Sequence, residues 1–559
     1  MLVLLLFAGG ATYWFKPWTT ASNKAVMTEA VVPDTNPADS KSADARPSLA
    51  VLPFANLSDD KEQGYLADGI SEDLTTELAR VPGLFVVSRI AAFNYKGKDA
   101  SLSQIAKELG VRYVLEGSIR RAGDDMRINA QLIDAQSGGH VWAERFDGAW
   151  GEVFTLQDKV VASVADALKL RLVTGQRMAN IAGGTTNPAA YDAYLKGLEL
   201  EYRDTPWDTA KAVTQYEQAI ALDPNFGTAI AQLAWVYNNA NGRRESGLHL
   251  SQEEINARLY KYLEAAAKNP SPNYYQIRAD LLISRERKYD EAIEGLEKAI
   301  ALDPSDPVSY AAMSQALTLS GRAADGLAYL EAAMRVDPTW TGWRRYLAGL
   351  AYFGTGRFAD AAESLEKIDP SSSETWTKIN GLEILIAAYG HLGSKNKIAT
   401  ARERLQPLLN RINSDRLTGL MAQAHFPFRN WNDTQRLRDG LSKAGVPELP
   451  FGLDGKSKDR LSGTEIAKIT FGHETISHEI PSGRPSSSKT ELDGTFTAKI
   501  GDWESGKGKA WVEGDSMCFS FPKEGRTCAV IFRNPKGTRE RANEYLFFQP
   551  WNRFEFSVL

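Results

Sequence analysis

Between residues 188 and 440, small and apolar positions recur at helical spacing in paired blocks, and a proline closes each pair. Pro270, Pro304 and Pro338 stand 34 residues apart. Counting back 12, 8 and 5 residues from Pro304 gives Ala292, Leu296 and Ala299. The same offsets give Gly326, Leu330 and Ala333 from Pro338, and Ala212, Tyr216 and Ala219 from Pro224. Small residues at these positions let two helices approach closely, and the proline stops the second helix. The interval from Pro224 to Pro270 is 46 residues, which predicts an insertion near residues 242–251; the block ending at Pro370 is two residues short. Residues 375–440 are expected to continue as irregular helical pairs or a cap.

The pattern changes on both sides of this array. Residues 48–54 (SLAVLPF) read as a buried strand, and Ile70, Leu74 and Leu78 mark a helix over 64–80. A strand over 84–88, a short helix over 101–109 and strands over 113–119, 126–133 and 140–145 follow, the last three as an antiparallel meander. A long helix over 152–172 completes an α/β module at 48–172. At the other end, residues 458–559 predict a β-rich domain: a short helix into a strand at 461–471, a flexible Pro/Ser stretch at 480–490, then strands at 494–500, 508–512, 517–521, 528–533 and 544–549. The fold class is therefore multidomain, with an α/β module, an all-α array and a small β-rich C-terminal domain.

Composition is that of globular protein, 43% hydrophobic and 24% charged. The net charge of −5, without a basic block, argues against nucleic acid as a partner. Residues 1–15 are apolar and uncharged, shorter than the roughly 20 residues a membrane span needs. Two readings stay open: the end of a transmembrane helix in a longer reading frame, with Tyr13, Trp14 and Trp18 as its interfacial belt, or a short uncleaved anchor. Residues 1–18 are assigned to this partial helix or anchor and 19–47 to a disordered linker. The only cysteines are Cys518 and Cys528. They read as free thiols in a cytosolic protein or a disulfide in an exported one, and a cross-strand bridge between the strands that carry them is geometrically possible.

The strings AVLPFANLSDDKEQGYLADGISEDLTTEL, LGVRYVLEGSIRR, INAQLIDAQSGGHVWAERFD and VFTLQDKV resemble the TolB-like N-terminal module, across about 120 residues. The array resembles tetratricopeptide repeats, whose period is 34 residues. The resemblance implies bacterial proteins in which the TolB-like module precedes such repeats and is joined through a transmembrane helix to a class III adenylate/guanylate cyclase domain or a winged-helix domain. This chain holds no segment fit for the metal-binding aspartates of such a cyclase. The strings DGTF, GKGKAWVEGDSMCFSF, CAVIFRNPKG and EYLFF more weakly resemble a small β domain of secreted or periplasmic bacterial proteins with a similar cysteine pair. The repeat resemblance implies a concave groove lined by the first helix of each pair, which makes Tyr274, Ile277, Gln315, Thr318, Arg345 and Tyr352 peptide-groove candidates.

No constellation of catalytic, cofactor-binding or metal-ligating residues emerges. Asp59, Asp60, Asp68, Glu72 and Asp73 are read as acidic residues complementing a helix N-terminus. Glu116-Gly117-Ser118 marks close backbone approach on a strand and not a nucleophile. His473-Glu474 and His478 fail as a zinc motif, because the histidines are five apart where a shared helical face needs four, and the backbone there reads as strand. No phosphate-binding loop occurs. The expected function is a membrane-anchored, non-enzymatic interaction scaffold or sensory module. It is placed at the inner membrane with most of the chain periplasmic, binding a protein or peptide through the repeats and the membrane through the N-terminal helix. No cofactor, nucleic acid or small-molecule substrate is expected. The alternative is the sensory half of an adenylate/guanylate cyclase protein whose catalytic domain lies upstream; a cytoplasmic regulator with free thiols is a third reading.

Overall fold

Alternating apolar positions in residues 48–56 and 113–134 build a sheet whose two faces are each covered by helices. In this computed structural model, the described residues are 46–559 apart from 171–182, 204, 241–246, 340–341, 370–374, 412–415, 454, 481, 501–502, 505–506, 522–524 and 551. The expected anchor and nearly all of the linker at 19–47 lie outside them. The elements of the α/β module are β1 (Ser48–Val51), β2 (Ala55–Asn56), α1 (Gly64–Ala79), β3 (Phe85–Val86), α2 (Arg89–Phe93), α3 (Leu102–Leu109), β4 (Tyr113–Ala122), β5 (Asp125–Asp134), β6 (Gly139–Ala149) and α4 (Val153–Ala167). The sheet order is β3-β1-β4-β5-β6, with β2 also paired to β4. Strand β1 is parallel to both neighbours, and β4, β5 and β6 form the antiparallel meander. One face packs Leu49, Val51 and Leu115 against Ile70, Leu74 and Leu78 of α1 and Val160 and Val164 of α4. The other packs Ala50, Leu52 and Val114 against Ala91 of α2 and Ile105 of α3. Gly117 sits where any Cβ would fall 2.2 Å from the Asn129 carbonyl oxygen and 2.5 Å from the Phe54 ring. Close approach therefore accounts for this position, as its sequence context indicates.

The array is a run of antiparallel helix pairs: α5 (Pro188–Tyr202) with α6 (Pro206–Leu222), α7 (Gly227–Ala240) with α8 (Gln252–Ala266), α9 (Pro272–Leu281) with α10 (Tyr289–Leu302), α11 (Pro307–Leu319) with α12 (Ala323–Val336) and α13 (Gly342–Gly354) with α14 (Phe358–Glu366). Then come α15 (Thr375–Leu392), α16 (Lys395–Arg411), α17 (Gly419–His425) and α18 (Trp431–Lys443). Pro188, Pro206, Pro272 and Pro307 each open a helix, where a missing N–H costs nothing. The offsets counted from the prolines mark the packing seam: Ala292, Leu296 and Ala299 have no exposed surface. A Cβ on Gly326 would meet the Thr318 hydroxyl at 2.6 Å and the Ser314 carbonyl oxygen at 2.8 Å.

The C-terminal domain closes on itself. After α19 (Gly463–Thr470) come β7 (His473–Ile480), β8 (Pro485–Thr490), β9 (Thr495–Ile500), β10 (Trp503–Glu504), β11 (Gly508–Glu513), β12 (Ser516–Phe521), β13 (Gly525–Arg533), β14 (Tyr545–Phe548) and β15 (Arg553–Val558). Every adjacent pair is antiparallel, β15 returns to β7, and β8 pairs with β9. The result is an eight-stranded up-and-down barrel, with β10 added beside β9. Two sequence expectations change. The stretch read as flexible contains β8, a serine-rich strand, and residues 553–558, given no element, form the strand that closes the barrel. The first carries no β-branched or aromatic run, whereas 553–558 does alternate Phe554, Phe556 and Val558, a strand pattern the sequence expectation omits.

Candidate functional site: seams between the modules and the array

The aspartates before Pro224, Pro304 and Pro338 each divide their two oxygens between two tasks, while Asn269 stands before Pro270. One caps the turn: Asp223 accepts from the Asn225 N–H at 3.0 Å, Asp303 from Ser305 at 2.9 Å and Asp337 from Thr339 at 2.8 Å. The other oxygen takes a different partner in each unit. For Asp223 it is the Thr185 hydroxyl at 2.5 Å, and for Asp337 it is Arg344, at 2.5 Å and buried. For Asp303 it is the hydroxyl of Thr76 on α1, at 3.0 Å. The repeat turn is thus the dock for the α/β module. Arg80 Nε donates to the Leu302 carbonyl at 2.7 Å and the Ser88 N–H to the Val336 carbonyl at 2.8 Å, while Phe85 packs on Tyr310 and Val336.

A second seam joins α1 to α5. Asp73 accepts from the Tyr191 hydroxyl and from Gln157 of α4, the latter at 3.1 Å. Burial pushes its carboxyl up to about 7; the two hydrogen bonds oppose this and the nearby charge of Glu72 adds to it. Beside it, Asp68, Glu72, Arg89, Phe93, Leu198 and Tyr202 line part of a cavity of about 280 Å³ between the module and α5. Arg89 fills its aromatic slot, with its guanidinium 4.0 Å from the Phe93 ring centre and 4.3 Å from that of Tyr202. Its Nε lies 2.9 Å from Glu72, whose own pKa burial raises. This site is an internal ion pair clamped by aromatic rings.

The five acidic residues read as dipole partners are separated by the fold. Asp60 caps the turn before α1, accepting from the Glu62 N–H at 2.9 Å, and Asp59 lies 3.6 Å from Arg120. Asp68 pairs with Lys96, Glu72 with Arg89 and Asp73 with Tyr191. All three sit beyond the first turn of α1, where the helix dipole no longer acts, so the dipole reading is corrected for Asp68, Glu72 and Asp73. Their reason is the seam with α2 and α5.

The groove candidates fall on two sides of the packing. Ile277 is fully buried and Thr318 is 2% exposed, against Gly326. Both are packing positions, and the expectation that they face a groove is corrected. Gln315, Arg345 and Tyr352 retain exposed surface, with Arg357 stacked 4.5 Å over the Tyr352 ring. Tyr274 is partly buried, edge-on to Tyr275. His478 Nε2 lies 3.1 Å from Glu555 on β15. Among the described residues, no three His, Cys, Asp or Glu side chains are placed to hold a metal ion.

The barrel docks on the opposite turns of the array. Glu513 is its hub: its carboxylate takes Arg526 at 2.7 Å, Arg287 at 3.1 Å, the Trp511 ring N–H at 3.1 Å and the Thr434 hydroxyl at 3.3 Å. Arg287 follows a π-helical turn at the end of α9 and has a left-handed φ of 57°, and Arg526 also donates to the Phe426 carbonyl at 3.0 Å. Cys518 and Cys528 are directly opposed on β12 and β13 and joined by a disulfide, which packs on Leu420 and Leu449.

With this geometry in place, the likenesses to known proteins divide by segment. Residues 272–306 match the tetratricopeptide-repeat family. Residues 44–163 match the second domain of HilA/YgeH-like transcriptional regulators. A putative adenylate cyclase 3 of Rhizobium meliloti is 41% identical over 220 residues, 38% of this chain and 38% of that protein, so the match spans well under half of the relative. Among solved structures, TolB of Acinetobacter baumannii shares 21% identity over 22% of this chain and 28% of its own (TM-score 0.18). The type IV pilus biogenesis factor PilW shares 15% over 41% of this chain and 100% of its own (TM-score 0.31). Scores this low carry no argument. Among the described residues, no helix is long and apolar enough to cross a membrane.

Proposed function

We propose that this chain is a non-catalytic interaction scaffold whose repeat array binds a protein or peptide, anchored at the inner membrane with its bulk in the periplasm. One observation carries the reading: the α/β module and the barrel are fixed to opposite turns of the helix pairs, through Asp303 and Glu513. The array is thus the part that organises the others. Repeats of this class act by presenting helix faces to partners. The α/β module is TolB-like in this reading, which suits an envelope location, as does the cysteine pair. The test is affinity capture from envelope extracts with the full chain and with Arg345→Glu and Tyr352→Ala. A partner retained by the parent and lost by both variants supports the scaffold; capture independent of both overturns it.

A second reading is favoured by the 41% identity to a putative adenylate cyclase. Here the chain is the sensory half of a cyclase protein whose catalytic part lies upstream. Purified chain with ATP and magnesium or manganese should then give no cyclic nucleotide, and turnover would refute the absence of catalysis.

A further inference from the structure

The barrel interior has two unlike walls. Register fixes which residues point inward: Phe496 opposes Thr490 across β8–β9, Phe519 opposes Ala510, and Phe556 opposes Ser477. One wall is aromatic, made of Phe496, Phe519, Phe521, Phe547, Phe554 and Phe556. Its rings are in contact, with centres 5.1 Å apart in the tilted Phe496–Phe519 pair and 6.1 Å in the stacked Phe519–Phe547 pair. Ile466 of α19 and Leu461 belong to the same core and cover part of it.

The facing wall is a rail of hydroxyls on β7 and β8. Thr475 pairs with Ser488 at 2.8 Å, and Ser477 with Ser486 at 2.6 Å. In the Ser477–Ser486 pair one hydroxyl donates and the other keeps its hydrogen to give; the Thr475 hydroxyl also reaches the Ser488 carbonyl at 3.5 Å, so that pair offers chiefly acceptor capacity. These side chains are small, and so is the inward Ala498 on β9. Ser477, Ser486, Ser488 and Ala498 point inward yet are not buried. An eight-stranded interior is just wide enough to be filled by side chains or to hold one small ligand, and here it is the small residues of β7 and β8 that are left unburied. The inward charges are already paired, Glu479 with Arg484 at 2.6 Å and Arg533 with Glu465 at 2.6 Å. They offer nothing to an ionic head group.

We propose that the barrel lumen is a binding site for a small neutral amphipathic molecule, its hydrocarbon body on the phenylalanine wall and its hydroxyl or carbonyl oxygens on the Thr475–Ser488 and Ser477–Ser486 rail. The site is independent of the scaffold reading above, since it does not involve the array.

The probe is 6-propionyl-2-dimethylaminonaphthalene, a neutral fluorophore with one carbonyl, titrated into the full chain. The expected result is saturable binding of one probe per chain with blue-shifted emission. Ser477→Leu with Ser488→Leu fills the lumen and should weaken binding by about tenfold or more. Ser477→Ala with Ser488→Ala keeps the space and removes hydroxyls, weakening it by about fivefold. Lys489→Gln, on the outward face of β8, should bind as the parent does. Thermal melts establish that each variant is folded, and the alanine pair decides the matter if the leucine pair does not fold. Absence of saturable binding by the parent, or equal binding by the parent and the folded lumen variants, overturns the proposal.

Discussion

The hydroxyl of Thr76 lies 3.0 Å from Asp303, so a residue that ends one repeat also holds a separate module in place. Burial raises the Asp303 pKa, while the bonds from Ser305 and Thr76 oppose the rise. Thr76→Val removes one hydrogen bond and leaves the turn capped, and should cost about 1 kcal/mol. Asp303→Ala removes the cap as well and should cost about 2–3 kcal/mol. In a double-mutant cycle by urea unfolding, the two should couple by about 0.5–1.5 kcal/mol. Strict additivity would mean the contact does not join the module to the array.

Asp73 gives the second seam, between α1 and α5, a pH dependence. Its folded pKa stands at about 7, above the ordinary 3.8, because of burial first. Its stabilising contribution is therefore complete below about pH 4 and lost as pH rises through about 7. At about 1.36 kcal/mol per pKa unit, the loss is at most roughly 4 kcal/mol. Asp306, pushed up to about 6 by burial and by Asp303, acts in the same direction. Thermal melts at pH 5.5 and pH 8 should show a larger fall for the parent than for Asp73→Asn. An equal fall would remove Asp73 as the cause.

The helix pairs were legible because their packing positions carry a fixed offset from a proline, and close approach admits only small residues there. The seams were not legible. Asp223, Asp303 and Asp337 occupy one position in the repeat, yet their second oxygens serve Thr185, Thr76 and Arg344. Nothing in the local spacing distinguishes them. Ile277 and Thr318 failed as groove residues for a related reason: a first helix has two faces, and helical spacing does not say which one meets the neighbouring pair. The barrel was half legible. Strand β12 alternates Met517, Phe519 and Phe521 and β13 carries a continuous apolar run from Cys528 to Phe532, whereas β8 is half serine with one lysine and acquires its structure only by pairing with β7 and β9.

The disulfide sets a test of environment. A bridge closing a loop of about ten residues stabilises by roughly 2–3 kcal/mol in the chain-entropy account. Cys518→Ser with Cys528→Ser should lower the urea midpoint accordingly, and a reductant should lower the parent and leave the double variant unchanged. Thiol labelling in intact cells reports the compartment. Two labelled cysteines would place this domain in a reducing environment and contradict a periplasmic one.

Glu513 offers the sharpest test of how the barrel is held. Arg526 is 3% exposed and Glu513 7%, so their pair is removed from water, and burial lowers the Arg526 pKa while Glu513 opposes that fall. Breaking a buried pair from one side leaves a desolvated charge, at a cost of about 3–5 kcal/mol. Glu513→Gln leaves both Arg526 and Arg287 without their carboxylate. Replacing Arg526 with methionine instead leaves Glu513 with Arg287, Trp511 and Thr434, and should cost less. The array's own core does not depend on this contact. The variant should therefore show barrel loosening before array unfolding: faster hydrogen exchange in β11–β13 and proteolysis near residues 446–462, with helical circular dichroism retained. Simultaneous loss of helix and barrel signals would show that array and barrel unfold as one unit, and the barrel would then be a cap on the array and not a separately docked module.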